Sequence, residues 1–312
     1  MSMLDNQKTL KKEYIFEGKG LHTGLNVTMK VAPAPSGHGI RFIREDLGPD
    51  ASVDALAEYV TTTQRGTTLE NGPVRVSTVE HLLSALTGLG VDNAVVTVNA
   101  PEAPILDGSA LSYVQAIGAD GLQEQDAPRT YYKIKETVHY KDAGTGSEIT
   151  IYPADEFSVD LTVDFNSHVL GVQKIHFDGS TDYAAEIAPC RTFVFFHELE
   201  FLFSNNLIKG GDLENAIVIV ERPVPHGTLS RMAALFNVAE VGVLPSGYLD
   251  NVHLHFPDEC GRHKMLDLIG DFTLAGCRIK GRVVADKSGH KINTTVARIV
   301  REMIKTEMTN NK

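Results

Sequence analysis

The sequence predicts an α/β protein of the α+β, two-layer kind, built from two similar sheet-and-helix domains with a site between them. Three observations carry this expectation. Each half runs through strands, a helix bearing an ionisable cluster, a strand and a last helix, the order left when one α/β unit is duplicated. A helix near the C-terminal end, Arg262 to Asp271, spaces His263, Asp267 and Asp271 four residues apart among Met265, Leu266, Leu268 and Ile269. A largely apolar helix is buried, and buried carboxylates need a partner. Finally, 312 residues with 42% hydrophobic content suit about two domains with full cores. The polar stretch 118–130 divides the chain into domain 1–124, carrying Glu80 and His81, and domain 125–312, carrying His263, Asp267, Asp271 and His290.

Taken in order, residues 13–46 read as strands, interrupted by the glycines of Gly18-Lys-Gly-Leu-His-Thr-Gly24. That spacing is unlike a phosphate-binding loop, which opens a helix with Lys-Ser/Thr. His22 inside it is either a turn histidine or a site-lining one. Ser77 with Glu80 three residues on is a capping-box pattern, predicting a helix that runs to Gly88 and Gly90. Asp92 to Asn99 follows as a strand, and Ser109 starts a short helix through about Ile117. The second half opens with strands at 131–140, 148–152 and 157–165. The apolar run Cys190 to Phe203 turns from extended chain into a helix. A strand at 216–220, a helix from about His263, a strand at 279–285, the turn Lys287-Ser-Gly-His290 and an amphipathic helix over 293–308 complete the chain.

Net charge is −11, which argues against nucleic acid, since phosphate binding needs a basic field. No polybasic segment offers an anchor to anionic lipid. No apolar run reaches the roughly 18 residues of a membrane span, and the start lacks a signal-peptide layout. Cys190, Cys260 and Cys277 are odd in number and widely spaced. They read as reduced thiols of a cytoplasmic protein, and the lack of a CxxC pair disfavours a cysteine zinc site.

Four residues advance a helix by about 40° beyond one turn, so His263 and Asp267 stack on one face. They are placed to share one divalent ion, or to form an ordinary ion pair on a solvated face. With His81 from the first half they supply two nitrogens and one oxygen, a ligand set of the zinc-hydrolase type. The ion activates a water and polarises a carbonyl, and Glu80 takes the proton as general base. The alternatives are a capping role for Glu80 and a satisfied histidine at a helix start for His81. His290 either protonates the leaving amine or stabilises the oxyanion, with Asp271 as its hydrogen-bonded partner; otherwise it is a loop histidine. Lys264 holds a substrate phosphate or carbonyl, or is a solvated lysine. Thr192 is a candidate donor to the oxyanion. The phenylalanines at 193, 195, 196, 201 and 203 belong to a core or to an apolar groove.

Ser-Thr-Val-Glu80-His81, Asp107-Gly-Ser, Arg191-Thr-Phe, Gly-Gly-Asp212, His263-Lys-Met-Leu-Asp267-Leu-Ile-Gly-Asp271 and Lys-Ser-Gly-His290 together resemble the UDP-3-O-acyl-N-acetylglucosamine deacetylase family. These zinc amidases act at the committed step of lipid A synthesis. Each motif is weak singly; jointly, in order along nearly the whole chain, they are specific. The resemblance implies zinc on His81, His263 and Asp267, with Glu80 as base and His290 as acid or electrostatic stabiliser. It places Asp271 as the orienting partner of His290 and Thr192 near the oxyanion. It also implies a small insert in each domain and, in the second insert, an apolar passage for the hydroxyacyl chain, in the region of Phe193 and Phe195. Some members are fused to a C-terminal hydroxyacyl-carrier dehydratase.

The leading expectation is therefore a zinc-dependent deacetylase of a small UDP-acylated amino sugar, with no nucleic-acid partner and no stable membrane anchor. A related metal amidase or esterase with another substrate, or a non-catalytic binding protein, are the competing readings. Two histidines and one aspartate suit ferrous iron as well as zinc. Motif and composition leave oligomeric state and acyl length open.

Overall fold

The computed structural model describes residues 5–204, 209–236, 238–251 and 253–310. The chain begins with β1 (Asn6–Leu10), β2 (Tyr14–Lys19), β3 (Asn26–Pro33), β4 (Ile40–Arg44) and β5 (Ser52–Asp54). A small antiparallel sheet of β6 (Val60–Thr62), β7 (Thr68–Asn71) and β8 (Val74–Ser77) follows. Then come α1 (Glu80–Leu89), β9 (Ala94–Val98) and α2 (Leu111–Asp120). The main sheet has the order β2-β3-β9-β4-β5, with β9 antiparallel to β3 and parallel to β4. Alternation builds it: Val27, Met29 and Val31 of β3 point into the core while their neighbours do not, the period-two pattern of a sheet with one covered face.

β10 (Leu122–Pro128) pairs with β1. The second half then has β11 (Tyr131–Lys133), β12 (Val138–Lys141), β13 (Glu148–Tyr152), β14 (Phe157–Asp164), β15 (Val172–Phe177) and α3 (Tyr183–Glu186). After β16 (Phe193–Phe195), α4 (Phe196–Ser204), β17 (Ile217–Ile219) and α5 (His226–Leu235), it returns to α6 (Glu259–Thr273), β18 (Arg278–Asp286) and α7 (His290–Asn310). Its sheet has the order β12-β13-β18-β14-β15, with β11 beside the first residues of β18. β18 is antiparallel to β13 and parallel to β14. The order and directions repeat those of the first sheet strand for strand, as expected for a duplicated unit. The β6–β8 sheet and the segment from α3 to α5 interrupt the two repeats at the same topological point.

α6 packs against α1 and α7, and α6 and α7 also pack on strands of the second sheet. α1 is buried along most of its length and ends at Gly90, whose φ of 88° supplies the left-handed C-cap for which glycine carries no steric cost. α7 buries Ile292, Val296, Val300 and Ile304, spaced every fourth residue along one stripe. α1 packs on α6, and their backbones meet closely: a Cβ on Gly270 would lie 2.1 Å from the Glu80 carbonyl oxygen. One apolar core spans both repeats, from Leu10 to Ile304.

Several expected boundaries shift. The polar stretch 118–130 holds the end of α2 and the exposed ribbon strand β10, and β15 and α5 were not foreseen. α6 starts four residues before His263. α7 starts at His290 itself, so that residue opens a helix rather than sitting in the turn.

Candidate active site

α6 carries the densest part of the site. His263, Asp267 and Asp271 project along one face, all of them buried. The His263 ring donates from Nδ1 to the Cys190 carbonyl at 3.0 Å, which leaves Nε2 unprotonated and turned toward Asp267. That carbonyl is anchored through its neighbour. Arg191 donates to the fully buried Glu259 from its backbone N and from Nε, at 3.1 and 2.9 Å, and to the His253 carbonyl from Nη2.

α1 brings the second histidine. The expected capping box is absent: the residue before α1 is Val79 and no side chain caps the helix. Ser77 ends a strand and bonds the Pro101 carbonyl instead, because Thr78 between them takes a left-handed φ of 57° and breaks any helical run. Glu80 and His81 thus fall in the first turn, facing α6. His81 Nε2 lies 3.8 Å and His263 Nε2 3.4 Å from Asp267 Oδ1. One ligand atom from each of the three residues lies within 4.8 Å of the others. Asp267 Oδ1 is buried with no hydrogen-bond partner, although buried acceptors are rarely left unpaired. Burial pushes His81 down to about 3, with His263 adding to the effect, and burial also lowers His263. Burial would raise Asp267, but Lys264, His263 and His290 hold it well below the usual carboxylate range. Two neutral imidazoles and an ionised carboxylate are the ligand forms of a divalent-metal site. The donor set fits a single divalent metal ion, with the orphaned oxygen as the clearest sign.

Glu80 and His290 flank this group. Glu80 Oε2 accepts from the Thr67 backbone N at 3.0 Å, and its Oε1 lies 3.8 Å from His290 Nε2. Burial raises Glu80 to about 7, the nearby His290 opposing that rise. His290 donates from Nδ1 to Asp271 Oδ2 at 3.0 Å. Burial alone would lower its pKa, but Asp271, Asp267 and Glu80 together lift it to about 9. Asp271 also accepts from Asn293 Nδ2 at 3.0 Å and Thr67 Oγ1 at 2.5 Å. Asn293 is held in turn by Ser288. A carboxyl with a pKa near neutrality beside an imidazole with a raised one is an acid–base pair set apart by environment.

The other expected site residues lie nearby in differing degree. Lys264 Nζ pairs with Asp267 Oδ2. Phe193 packs edge-on to His263 with ring centroids 6.4 Å apart, and joins Phe165 and Phe195 in an aromatic cluster. Thr192 is two residues beyond Cys190, its backbone clamped between Gly108 and Ile217. Phe196 belongs to a separate small core, Phe201 is exposed, and the Phe203 side chain lies outside the described residues. His22 is exposed and donates from Nε2 to the Arg65 carbonyl at 3.1 Å. With Thr23, Gly66, Thr68 and Lys209 it lines a cleft of about 530 Å³. Gly66 borders Glu80, since a Cβ there would sit 3.0 Å from Oε1. Sequence reading missed Thr67, Asn293, Glu259 and the Cys190 carbonyl. Only Asn293 left a signal, three residues after His290 on one helix.

Comparison with known proteins agrees with this geometry. The family model for UDP-3-O-acyl N-acetylglycosamine deacetylase matches residues 7–234 and 237–302. The chain is 45% identical over 299 residues to a bifunctional enzyme LpxC/FabZ of Bacteroides thetaiotaomicron, covering 96% of this chain and 65% of that protein. It is 44% identical to the like-named protein of Porphyromonas gingivalis, again covering 65% of it. The chain therefore spans just under two thirds of these two relatives. It is 42% identical over 297 residues to the UDP-3-O-acyl-N-acetylglucosamine deacetylase of Myxococcus xanthus, covering 95% of this chain and 86% of that one. With its matched region taking in both sheets and every residue of the buried His-His-Asp group, the chain belongs to the UDP-3-O-acyl N-acetylglycosamine deacetylase family.

Proposed function

We propose that the protein hydrolyses the acetamide of UDP-3-O-(3-hydroxyacyl)-N-acetylglucosamine, releasing acetate at the committed step of lipid A synthesis. The observation that carries this reading is the buried group of His81, His263 and Asp267, with Glu80 and His290 beside it. His81, His263 and Asp267 would hold zinc, which when bound supplies a Lewis acid for the carbonyl and a more acidic water. Glu80, buried and raised to about 7, takes the proton of the attacking water. His290, raised to about 9, carries positive charge near neutral pH. It stabilises the oxygen that becomes negative and donates a proton to the departing amine. Asp271 fixes which nitrogen of His290 faces the reaction, because Nδ1 is committed to its carboxylate. Thr192 adds a hydroxyl donor to the oxyanion. Lys264 neutralises Asp267 and offers a contact to substrate, His22 lines the approach, and Phe193 and Phe195 border the acyl chain. Two α/β domains, 1–124 and 125–312, frame the site, a division supported by the two repeated sheets. The three free cysteines and a nucleotide-sugar substrate suit the cytoplasm.

The test uses the purified chain with one equivalent of zinc. Acetate should be released from the 3-O-acylated UDP sugar and suppressed by a chelator. Turnover of an unrelated acetamide at equal efficiency, or a rate indifferent to chelation, would reject the reading. Metal analysis of the same batch separates zinc from ferrous iron.

A further inference from the structure

We propose that Glu102 is a positioning residue that sets the turn carrying Glu80 and His81; the inference rests on the roles proposed above for those two residues. Glu102 is fully buried, and no cation touches it among the described residues. Its carboxylate is surrounded by neutral donors. The backbone N of His22 lies 2.9 Å from Oε1 and 3.2 Å from Oε2, and the Thr78 hydroxyl 3.0 Å from Oε1. Oε2 also accepts from the backbone N and hydroxyl of Thr23, at 2.8 and 2.7 Å. A buried carboxylate that gathers this many donors fixes their relative positions, because each donor lost would leave charge unsolvated.

Two arms run from it to the site. The first is short. Ser77 and Glu102 form a parallel bridge, and the next residue, Thr78, holds a φ of 57°, which a β-branched residue rarely adopts. Glu102 clamps that strained residue, and the chain continues through Val79 into Glu80 and His81. The second arm passes through the loop. Glu102 orders His22 and Thr23; the His22 ring holds the Arg65 carbonyl. Arg65 and Gly66 both have positive φ, and Thr67 then bonds Glu80 with its backbone N and Asp271 with its hydroxyl. The space is also filled to fit: a Cβ on Gly20 would lie 2.4 Å from Glu102 Oε2. Both arms converge on Glu80, one from the backbone and one from the carboxylate.

The test is Glu102→Gln, which keeps the shape but turns an amide N–H₂ toward groups that are themselves donors. Zinc affinity is measured by competition with a chelator, and kcat and KM on the acylated UDP sugar. The dissociation constant for zinc should rise ~10–100-fold, the range for residues that orient ligands, and kcat should fall with it while KM stays within roughly twofold. Adding Thr78→Gly should recover part of both losses, because glycine adopts the left-handed backbone unaided. A folded Glu102→Gln protein with unchanged zinc affinity overturns the proposal. Absence of recovery in the double variant overturns the Thr78 arm. If the wild type releases no acetate while the variant still loses zinc affinity, the activity reading fails and the positioning role stands. Should Glu102→Gln not fold, Thr78→Val removes the first arm and His22→Ala the ring contact of the second, each with the carboxylate intact, and unchanged zinc affinity in both overturns the proposal.

Discussion

Asp271→Asn isolates the electrostatic part of the His290 environment. The amide can keep the geometry: its oxygen accepts from His290 Nδ1 and Asn293 Nδ2 as the carboxylate does. Its N–H₂ then faces the Thr67 hydroxyl, which can rotate from donor to acceptor. What is lost is a negative charge beside the imidazolium. Two unit charges roughly 4 Å apart attract by ~4 kcal/mol at an effective dielectric constant of about 20, which sets a ceiling of about 3 pH units. Asp267 and Glu80 remain and still raise His290, so the expected fall is ~1–2 pH units. On the proposed roles His290 acts protonated and Glu80 ionised, so kcat/KM should trace a bell. Its acidic limb reports Glu80 and its alkaline limb His290. A bound dication favours the deprotonated form of both, placing the limbs somewhat below about 7 and about 9. In the variant the rate should begin to fall at lower pH on the alkaline side, with the acidic limb little moved. The optimum rate should drop ~10²–10⁴-fold, as when a catalytic histidine loses its acidic partner, and zinc content should hold. An alkaline limb that stays in place, with zinc retained and rate reduced, would refute His290 as the group that sets it.

The remaining predictions are more direct. His81→Ala, His263→Ala and Asp267→Ala should each lose zinc and activity together while far-UV circular dichroism stays close to wild type; full zinc in any one excludes that residue as a ligand. Chelating the metal should lower the melting temperature without unfolding the chain, since ligand at a thousandfold excess over Kd adds only ~4 kcal/mol and the shared core remains. Glu259→Gln strands the Arg191 charge in the interior and should cost ~3–5 kcal/mol in denaturant unfolding; a loss under about 1 kcal/mol would show the pair to be replaceable. Gly270→Ala forces a methyl to 2.1 Å from the Glu80 carbonyl and should cost at least ~1–3 kcal/mol with weakened zinc binding, and wild-type affinity would mean that α1 and α6 part without moving His81.

The parts of the site that sequence made legible are those written locally. His263, Asp267 and Asp271 share one helix, so helical period alone stacks them. The duplicated order of strands and helices was equally visible, because each core strand alternates. What stayed hidden depends on long-range contact. Thr67 meets Asp271 across 204 residues, and Glu102 reaches His22 across 80; neither has a periodic or spacing signal. Ser77-x-x-Glu80 has the composition of a capping box, yet Thr78 in the left-handed region ends that possibility, and no propensity argument places a threonine there. β10 was hidden for the opposite reason. It forms a two-stranded ribbon exposed along much of its length, so nothing in its pattern calls for an apolar face.

Duplication explains how two like repeats produce an unlike pair of partners. α1 and α6 occupy the same place in their repeats, each just before the central strand. A symmetric crossing would bring equivalent residues together. Here the first turn of α1 meets the body of α6, since Gly270 lies twelve residues into a helix that starts at Glu259 and touches Glu80, the first residue of its partner. The offset gives the two helices different work. α6 offers a full stripe, so one face supplies His263, Asp267 and Asp271 over successive turns. α1 offers an N-terminus, whose unpaired N–H groups and positive dipole end favour negative charge, beside the carboxylates of Glu80, Asp267 and Asp271. On the roles proposed above, that end favours the ionised form of Glu80 and any oxyanion formed beside it, which the middle of a helix does not. A close glycine contact is the condition for this arrangement. A larger residue at 270 would meet the Glu80 carbonyl and push α1 away from α6, which lengthens the distance from His81 to Asp267 Oδ1 and, on the ligand roles proposed above, weakens the hold on an ion.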